Sequence, residues 1–137
     1  MKLKIITQER VVFDQDNVDE IYTKGVDGEF GILKGHIPVM CALDIGVTKA
    51  VMGNATKNFT TMGGILQFKD DECLILTTLA ETDDEIDEVR ARDALERAKR
   101  RLQNAEARMD AKRAEAAIAR AEARLKARLS GEKSFKM

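Results

Sequence analysis

The chain has no tryptophan, one proline, one tyrosine and one histidine among its 137 residues. So few aromatic rings leave little surface on which single-stranded nucleic acid can stack. A net charge of −1 also withholds the general attraction to a phosphate backbone, so no nucleic-acid partner is expected. The two cysteines, Cys41 and Cys73, form no C-x-x-C pair and have no histidine cluster beside them. They are expected to be buried thiols in a reducing compartment. No run approaches the roughly 20 apolar residues that span a bilayer. The start, Met1-Lys2-Leu3-Lys4-Ile5, lacks an apolar run of signal-peptide length. The expectation is a cytosolic chain that meets a membrane only through a partner.

One absence is local. From Ile65 to Ser130 there is neither glycine nor proline, whereas the first half holds every glycine but Gly131, together with Pro38. Charge divides at the same place. Residues 1–85 carry 8 basic and 15 acidic side chains, and residues 86–129 carry 13 and 8. Two small domains, 1–85 and 86–137, are expected, the acidic and the basic part having different partners.

In the first part short apolar runs alternate with turn residues. Runs around Leu3–Thr7, Val11–Phe13 and Val18–Thr23 are closed by polar or glycine-containing segments. Gly46–Met52 and Lys57–Met62 flank Gly53-Asn54, and Gly63–Phe68 and Cys73–Leu79 flank Lys69-Asp70-Asp71-Glu72. Short strands at this spacing predict an all-β sandwich with a thin core. Asp27-Gly28-Glu29-Phe30-Gly31-Ile32-Leu33-Lys34-Gly35-His36-Ile37-Pro38 reads as a structured connecting loop. It lacks the G-x-x-x-x-G-K-[ST] spacing of a phosphate loop. His36, without a second candidate ligand nearby, reads as a structural hydrogen-bonding residue.

The second part predicts an α-helical hairpin, two antiparallel helices at about 87–107 and 111–129. Ala91, Leu95, Ala98, Leu102, Ala105 and Met109 form one heptad seam. Ala114, Ile118, Ala121, Leu125 and Leu129 form another. Alternate alanines permit close approach but bury little area, so at roughly 25 cal/mol per Å2 the pairing is weak. Asp110 is placed as the N-cap of the second helix. No helix breaker forces the turn, so the segment can fold back or straighten to a length on the order of 60 Å.

On helical wheels Arg90, Arg97, Arg101 and Arg108 fall within an arc of roughly 40°, as do Arg113, Arg120 and Arg124. Both stripes lie beside a seam. Paired helices would set the stripes around one groove. The cations could be neutralised by Glu106, Asp110, Glu115 and Glu122, giving a solvated salt-bridged face, or by a polyphosphate.

At these residues the chain resembles the epsilon subunit of bacterial F-type ATP synthases, over essentially its whole length. The segment Asp27–Pro38 is similar to that family's D-G-E-x-G-I-L-P-G-H-x-P, with Lys34 in place of the usual proline. Gly63-Gly64-Ile65-Leu66-Gln67, Leu74-Ile75-Leu76, Ala80-Glu81 and Ile86-Asp87-Glu88-Val89-Arg90-Ala91 continue the match in order. The resemblance implies a β-sandwich that docks on the gamma subunit and the ring of c subunits. It implies a helical pair that permits turnover when folded. Extended along gamma, that pair meets acidic surfaces of the alpha and beta subunits and blocks ATP hydrolysis. It also implies a peripheral position at the cytoplasmic face of the bacterial cell membrane.

Members similar to those of thermophilic bacilli bind ATP on the folded hairpin through I-D-x-x-R-A, which stands here as Ile86, Asp87, Arg90 and Ala91. The resemblance adds Glu81, Arg97, Arg120 and Arg124. It implies that Ile86, Asp87 and Glu81 lie at the adenine end and that the arginines meet the phosphates, with or without Mg2+. ATP would be a regulatory ligand, not a substrate, with no catalytic residue and no protein-held metal. Two other classes remain: a stand-alone basic hairpin adaptor for an acidic protein or RNA, and a small nucleotide hydrolase. The hydrolase would need a Walker-type loop, which is not visible.

Overall fold

Alternation decides the first strand, Lys2–Ile6 (β1), where Leu3 and Ile5 are fully buried and their neighbours are not. The computed structural model describes residues 1–135, with side chains as far as Ser130. The strands that follow are Val11–Gln15 (β2), Glu20–Gly25 (β3), Gly28–Leu33 (β4), Val39–Met52 (β5), Ala55–Lys69 (β6), Glu72–Leu76 (β7) and Ala80–Thr82 (β8). A 3-10 turn, Asp83–Glu85, leads to helices Glu88–Gln103 (α1) and Arg108–Phe135 (α2). The fold is a β-sandwich followed by two helices.

The strand order is β2-β1-β7-β6-β5-β3-β4, with β8 paired to β6. β5 and β6 form one long hairpin through the tight turn at Gly53-Asn54. Pairing is interrupted, with no change of register, between the pairs Leu43–Gly64 and Ile45–Met62. Gly63 and Gly64 sit at that break with φ of 79° and 117°. These are angles that side-chain-bearing residues rarely adopt. One half of the bent hairpin therefore joins β7, and the other joins β3 and β8. Leu3, Ile5, Ile21, Ile32, Phe59, Leu66 and Ile75 fill the space between the layers. Phe13 meets Phe59 edge to face, 4.9 Å between centroids. Buried Thr23, Thr48 and Thr61 satisfy one another through hydroxyl contacts of 2.8 and 3.1 Å, which removes the cost of burying them unpaired.

Several expectations change. The segment 27–38 is not simply a loop: its first half is β4, paired antiparallel with β3. The strand pattern was hidden by Gly31, whose missing side chain leaves room for the Tyr22 ring. A Cβ there would lie 2.9 Å from Tyr22 Cε1. The remaining turn carries His36, whose Nδ1 donates to the Ile37 carbonyl at 2.6 Å and whose ring packs edge-on against Phe68. Cys73 is buried, whereas Cys41 is only partly so. Burial pushes the Cys73 thiol up to about 12, which makes it a poor nucleophile at neutral pH.

The helices also end elsewhere. α1 stops at Gln103 because Asn104, a poor helix former, leaves the helix while its N–H still reaches the carbonyls of Arg100 and Leu102. α2 starts at Arg108, so Arg108 belongs to it and not to the first stripe. Asp110 lies inside the first turn and is not the cap, although its charge there still complements the helix dipole. α2 continues through Gly131 to Phe135, past the expected end at 129. The expected domain end at residue 137 lies outside the described residues.

Ala91, Ala98, Ala114 and Ala121 are buried between the helices, while Leu95, Leu102, Ile118 and Leu125 are only half-buried. A second face of α2, with Ala123 and Ala127 buried, packs against β5 and β6. The hairpin is thus folded against the sandwich.

The bend gives a test. A Cβ at Gly64 would lie 2.0 Å from the Leu76 carbonyl oxygen, whereas one at Gly53 (φ 61°) would meet nothing within 4 Å. Gly53→Ala should cost about 1–2 kcal/mol of backbone strain. Gly64→Ala should cost distinctly more, above about 3 kcal/mol or failure to fold. Urea unfolding of the two variants measures the difference.

Candidate anion-binding cleft

Where α1 begins, Asp87 accepts a hydrogen bond from the Arg90 backbone N–H at 3.1 Å and caps the helix. Capping fixes the first turn. It places Arg90 and Ala91 on the side facing α2, with Arg97 two turns further along. Ile86, just before the cap, is buried, and β8 brings Glu81 alongside. The result is a cleft of about 330 Å3 lined by Glu81, Ile86, Asp87, Arg90, Ala91, Arg97 and Arg124. Seven of the eight residues named from sequence therefore meet in one place.

Arg120 is the exception. It lines a neighbouring cleft with Arg100, Arg101 and Arg113. One helical turn separates it from Arg124, and where α1 and α2 meet the two side chains enter different grooves. Arg108 lines neither cleft. Glu85 and Ala94 also line the first cleft and were not named from sequence. Ala94 lies three residues beyond Ala91 on the same helix face, so the wheel contained the signal. Glu85 sits in the 3-10 turn, for which the sequence carried none.

Two kinds of arginine face this cleft. Arg124 Nε donates to Glu81 Oε1 at 2.7 Å, with both side chains about three-quarters buried. Glu81 is itself tied to Thr60, whose hydroxyl accepts from the Glu81 N–H at 3.0 Å. Arg90 and Arg97, by contrast, are exposed, and among the described residues neither has a carboxylate within ion-pair distance. A groove of this size lies within the ordinary range for small-molecule sites, about 300–1,000 Å3. Unpaired guanidinium forks suit a phosphate better than a single carboxylate does. Among the described residues no group of three or more His, Cys, Asp and Glu could hold a metal ion.

The acidic 3-10 turn is held from the sandwich side. Arg10 Nη2 donates to Glu85 Oε2 at 2.6 Å, and Lys57 Nζ lies 3.4 Å from Asp83 and 3.2 Å from Asp84. From the helix side, Arg128 donates to the Asp83 carbonyl at 3.3 Å. The Arg10 hydrogen bond holds the Glu85 carboxyl below its ordinary value of 4.5.

A group whose pKa is lowered by folding adds stability above its unfolded pKa and loses it as pH falls through the folded value. Arg10→Met should therefore destabilise the chain by about 0.5 kcal/mol at neutral pH, the scale of an exposed pair. The gap to wild type should close once the pH is well below 4.5. Urea titrations at neutral and acidic pH measure this.

Comparison with known proteins agrees with the architecture. Residues 1–83 match the family described as ATP synthase, Delta/Epsilon chain, beta-sandwich domain. Residues 84–128 match its companion, the long alpha-helix domain. The ATP synthase epsilon chain of Carboxydothermus hydrogenoformans is 42% identical over 102 residues, 74% of this chain and 75% of that one. That of Anoxybacillus flavithermus is 41% identical over 103 residues, 75% of this chain and 76% of that one. A chain in the Euglena gracilis mitochondrial ATP synthase structure, OSCP/F1/c-ring in rotational state 1, superposes with a TM-score of 0.81 at 26% identity. The match covers 93% of this chain and 79% of that chain. With both of its parts matched and the relatives agreeing, the chain belongs to the ATP synthase delta/epsilon chain family.

Proposed function

We propose that this chain is a non-catalytic central-stalk subunit of a proton-translocating F-type ATP synthase, whose helical hairpin is an ATP-sensitive brake on ATP hydrolysis. Its sandwich docks on the gamma subunit and the c-ring, on the cytoplasmic face of the bacterial membrane. In this reading it has no active site of its own. Family membership and the names of its relatives support the assembly. The observation that supports the nucleotide role is the convergence of Glu81, Ile86, Asp87, Arg90, Ala91, Arg97 and Arg124 on one cleft, with two guanidiniums that have no ion-pair partner among the described residues.

Glu81, Ile86 and Asp87 would hold the adenine end. Arg90 and Arg97 from α1 and Arg124 from α2 would meet the phosphates, Arg120 joining them from the adjoining groove. Arg124 already bonds Glu81 across the two domains, so its guanidinium must be shared with the phosphates or transferred to them. In either case α1, α2 and β8 become cross-linked, and only the folded hairpin offers that arrangement.

The energetics allow such a ligand to decide the conformer. The hairpin is closed by alanines, and the polar contacts that dock it include Arg124 with Glu81, Arg128 with the Asp83 carbonyl, and the exposed pair Lys126–Glu29. A ligand at a hundredfold excess over its Kd adds about 2.7 kcal/mol to the state that binds it. Released, residues 88–135 could reach about 70 Å as helix. The basic surface of the helices would then meet acidic faces of the alpha and beta subunits.

Melting of the full chain with and without ATP tests the nucleotide role. The transition should rise by several degrees with no phosphate released, and the ATP-dependent increment should vanish in the double variant Arg90→Ala, Arg124→Ala. An unchanged increment would remove these arginines from the site. In the assembled enzyme, truncation after Ile86 should raise ATP hydrolysis severalfold, and an unaltered rate would sink the brake.

A further inference from the structure

The hairpin carries a second cleft, of about 630 Å3, beside its turn. Arg100 and Arg101 come to it from the last turn of α1, and Arg113 and Arg120 from α2. Asp110 is the one carboxylate among its lining residues. Among the described residues none of the four arginines has a carboxylate within ion-pair distance. Arg113 Nη2 reaches only the Met109 sulfur, at 3.8 Å, a weak acceptor.

Helix ends do not account for this grouping. Arg100 and Arg101 complement the negative C-terminal end of α1. Arg113 lies in the second turn of α2 and Arg120 further in, beyond the reach of either end. Folding the hairpin thus gathers four cations that, among the described residues, make no ion pair and share the cleft with Asp110 alone. Among the described residues no aromatic side chain lines the cleft, so none of them would stack on a base. Ala105 and Ala117 are half-buried and Ala114 is buried, and such small side chains let an anion approach the helices closely.

We propose that this cleft is a second anion site, one that takes a linear oligophosphate. It shares no lining residue with the cleft beside Glu81; Arg120 also serves the phosphates in the nucleotide reading, so Arg100, Arg101 and Arg113 are the arginines that belong to this site alone. Paired guanidinium forks from two helices match successive phosphate groups. Occupancy would tie the end of α1 to α2 and favour the folded hairpin. The anion could be free inorganic oligophosphate or the tail of a second nucleotide.

Calorimetric titration of the full chain with inorganic tripolyphosphate, at saturating ATP, tests the site. One equivalent should bind, and Arg101→Gln with Arg113→Gln should weaken it by about tenfold or more while leaving the ATP-dependent rise in melting temperature. Both positions are exposed and glutamine is a comparable helix former, so circular dichroism should show an intact helical domain. Arg90→Gln should leave tripolyphosphate binding in place. A second equivalent of ATP, lost in the Arg101/Arg113 variant, would identify a nucleotide tail as the source. The site is overturned if tripolyphosphate only displaces ATP, or if the double variant binds as wild type does. It is equally overturned if sodium chloride at matched ionic strength gives the same heat in place of tripolyphosphate, since that would be screening alone. If ATP fails to bind but tripolyphosphate binding still depends on Arg101 and Arg113, the second site stands and the nucleotide reading falls.

Discussion

The close approach of α1 and α2 across Ala91, Ala98, Ala114 and Ala121 is the constraint on which the functional part of the molecule depends. Small side chains bring two arginine-bearing surfaces near enough to share clefts. The same small side chains bury little apolar area, so their contact is weak. Leucines in those places would strengthen the pair and hold the arginines further apart. Proximity of charge and, in the proposed function, ease of opening therefore have one cause.

The sandwich supplies what the hairpin lacks. It holds β8 and the 3-10 turn through Arg10, just before β2, and through Lys57 and Thr60 on β6, so Glu81 and Asp83 face α2 from a supported position. Arg124 and Arg128 then reach across to them. The joint between the two parts lies between Glu85, fastened to the sandwich, and Asp87, which caps α1. Ile86 is buried between these fastenings. In the proposed function, motion would be confined to this short span and the nucleotide would bind beside it.

Much of this was legible in the sequence because it rests on local rules. The alternation of Leu3 and Ile5, the Gly53-Asn54 turn and the heptad spacing of alanines each specify a local structure. Ile86, Asp87, Arg90 and Ala91 were legible as neighbours because they lie in one local segment, whereas Glu81, Arg97 and Arg124 were named through the family resemblance and are brought to the same cleft by the fold. β4 was missed because Gly31 interrupts its alternation, and what makes Gly31 suitable is the Tyr22 ring on another strand. The end of α1 was misplaced because, in a stretch free of glycine and proline, Asn104 is only a weak stop.

The sequence by itself determined the change from sandwich to helices, the small side chains of the seam and the presence of arginine stripes, since each follows from residue type and period. Only the tertiary structure decided which arginines share a cleft. Arg120 and Arg124 lie one helical turn apart, yet Arg124 turns to Glu81 on β8 while Arg120 joins Arg100, Arg101 and Arg113. A helical wheel assigns a direction to a side chain. The groove it enters depends on where the partner helix ends and which strand lies beneath, and those are long-range facts that no local spacing carries.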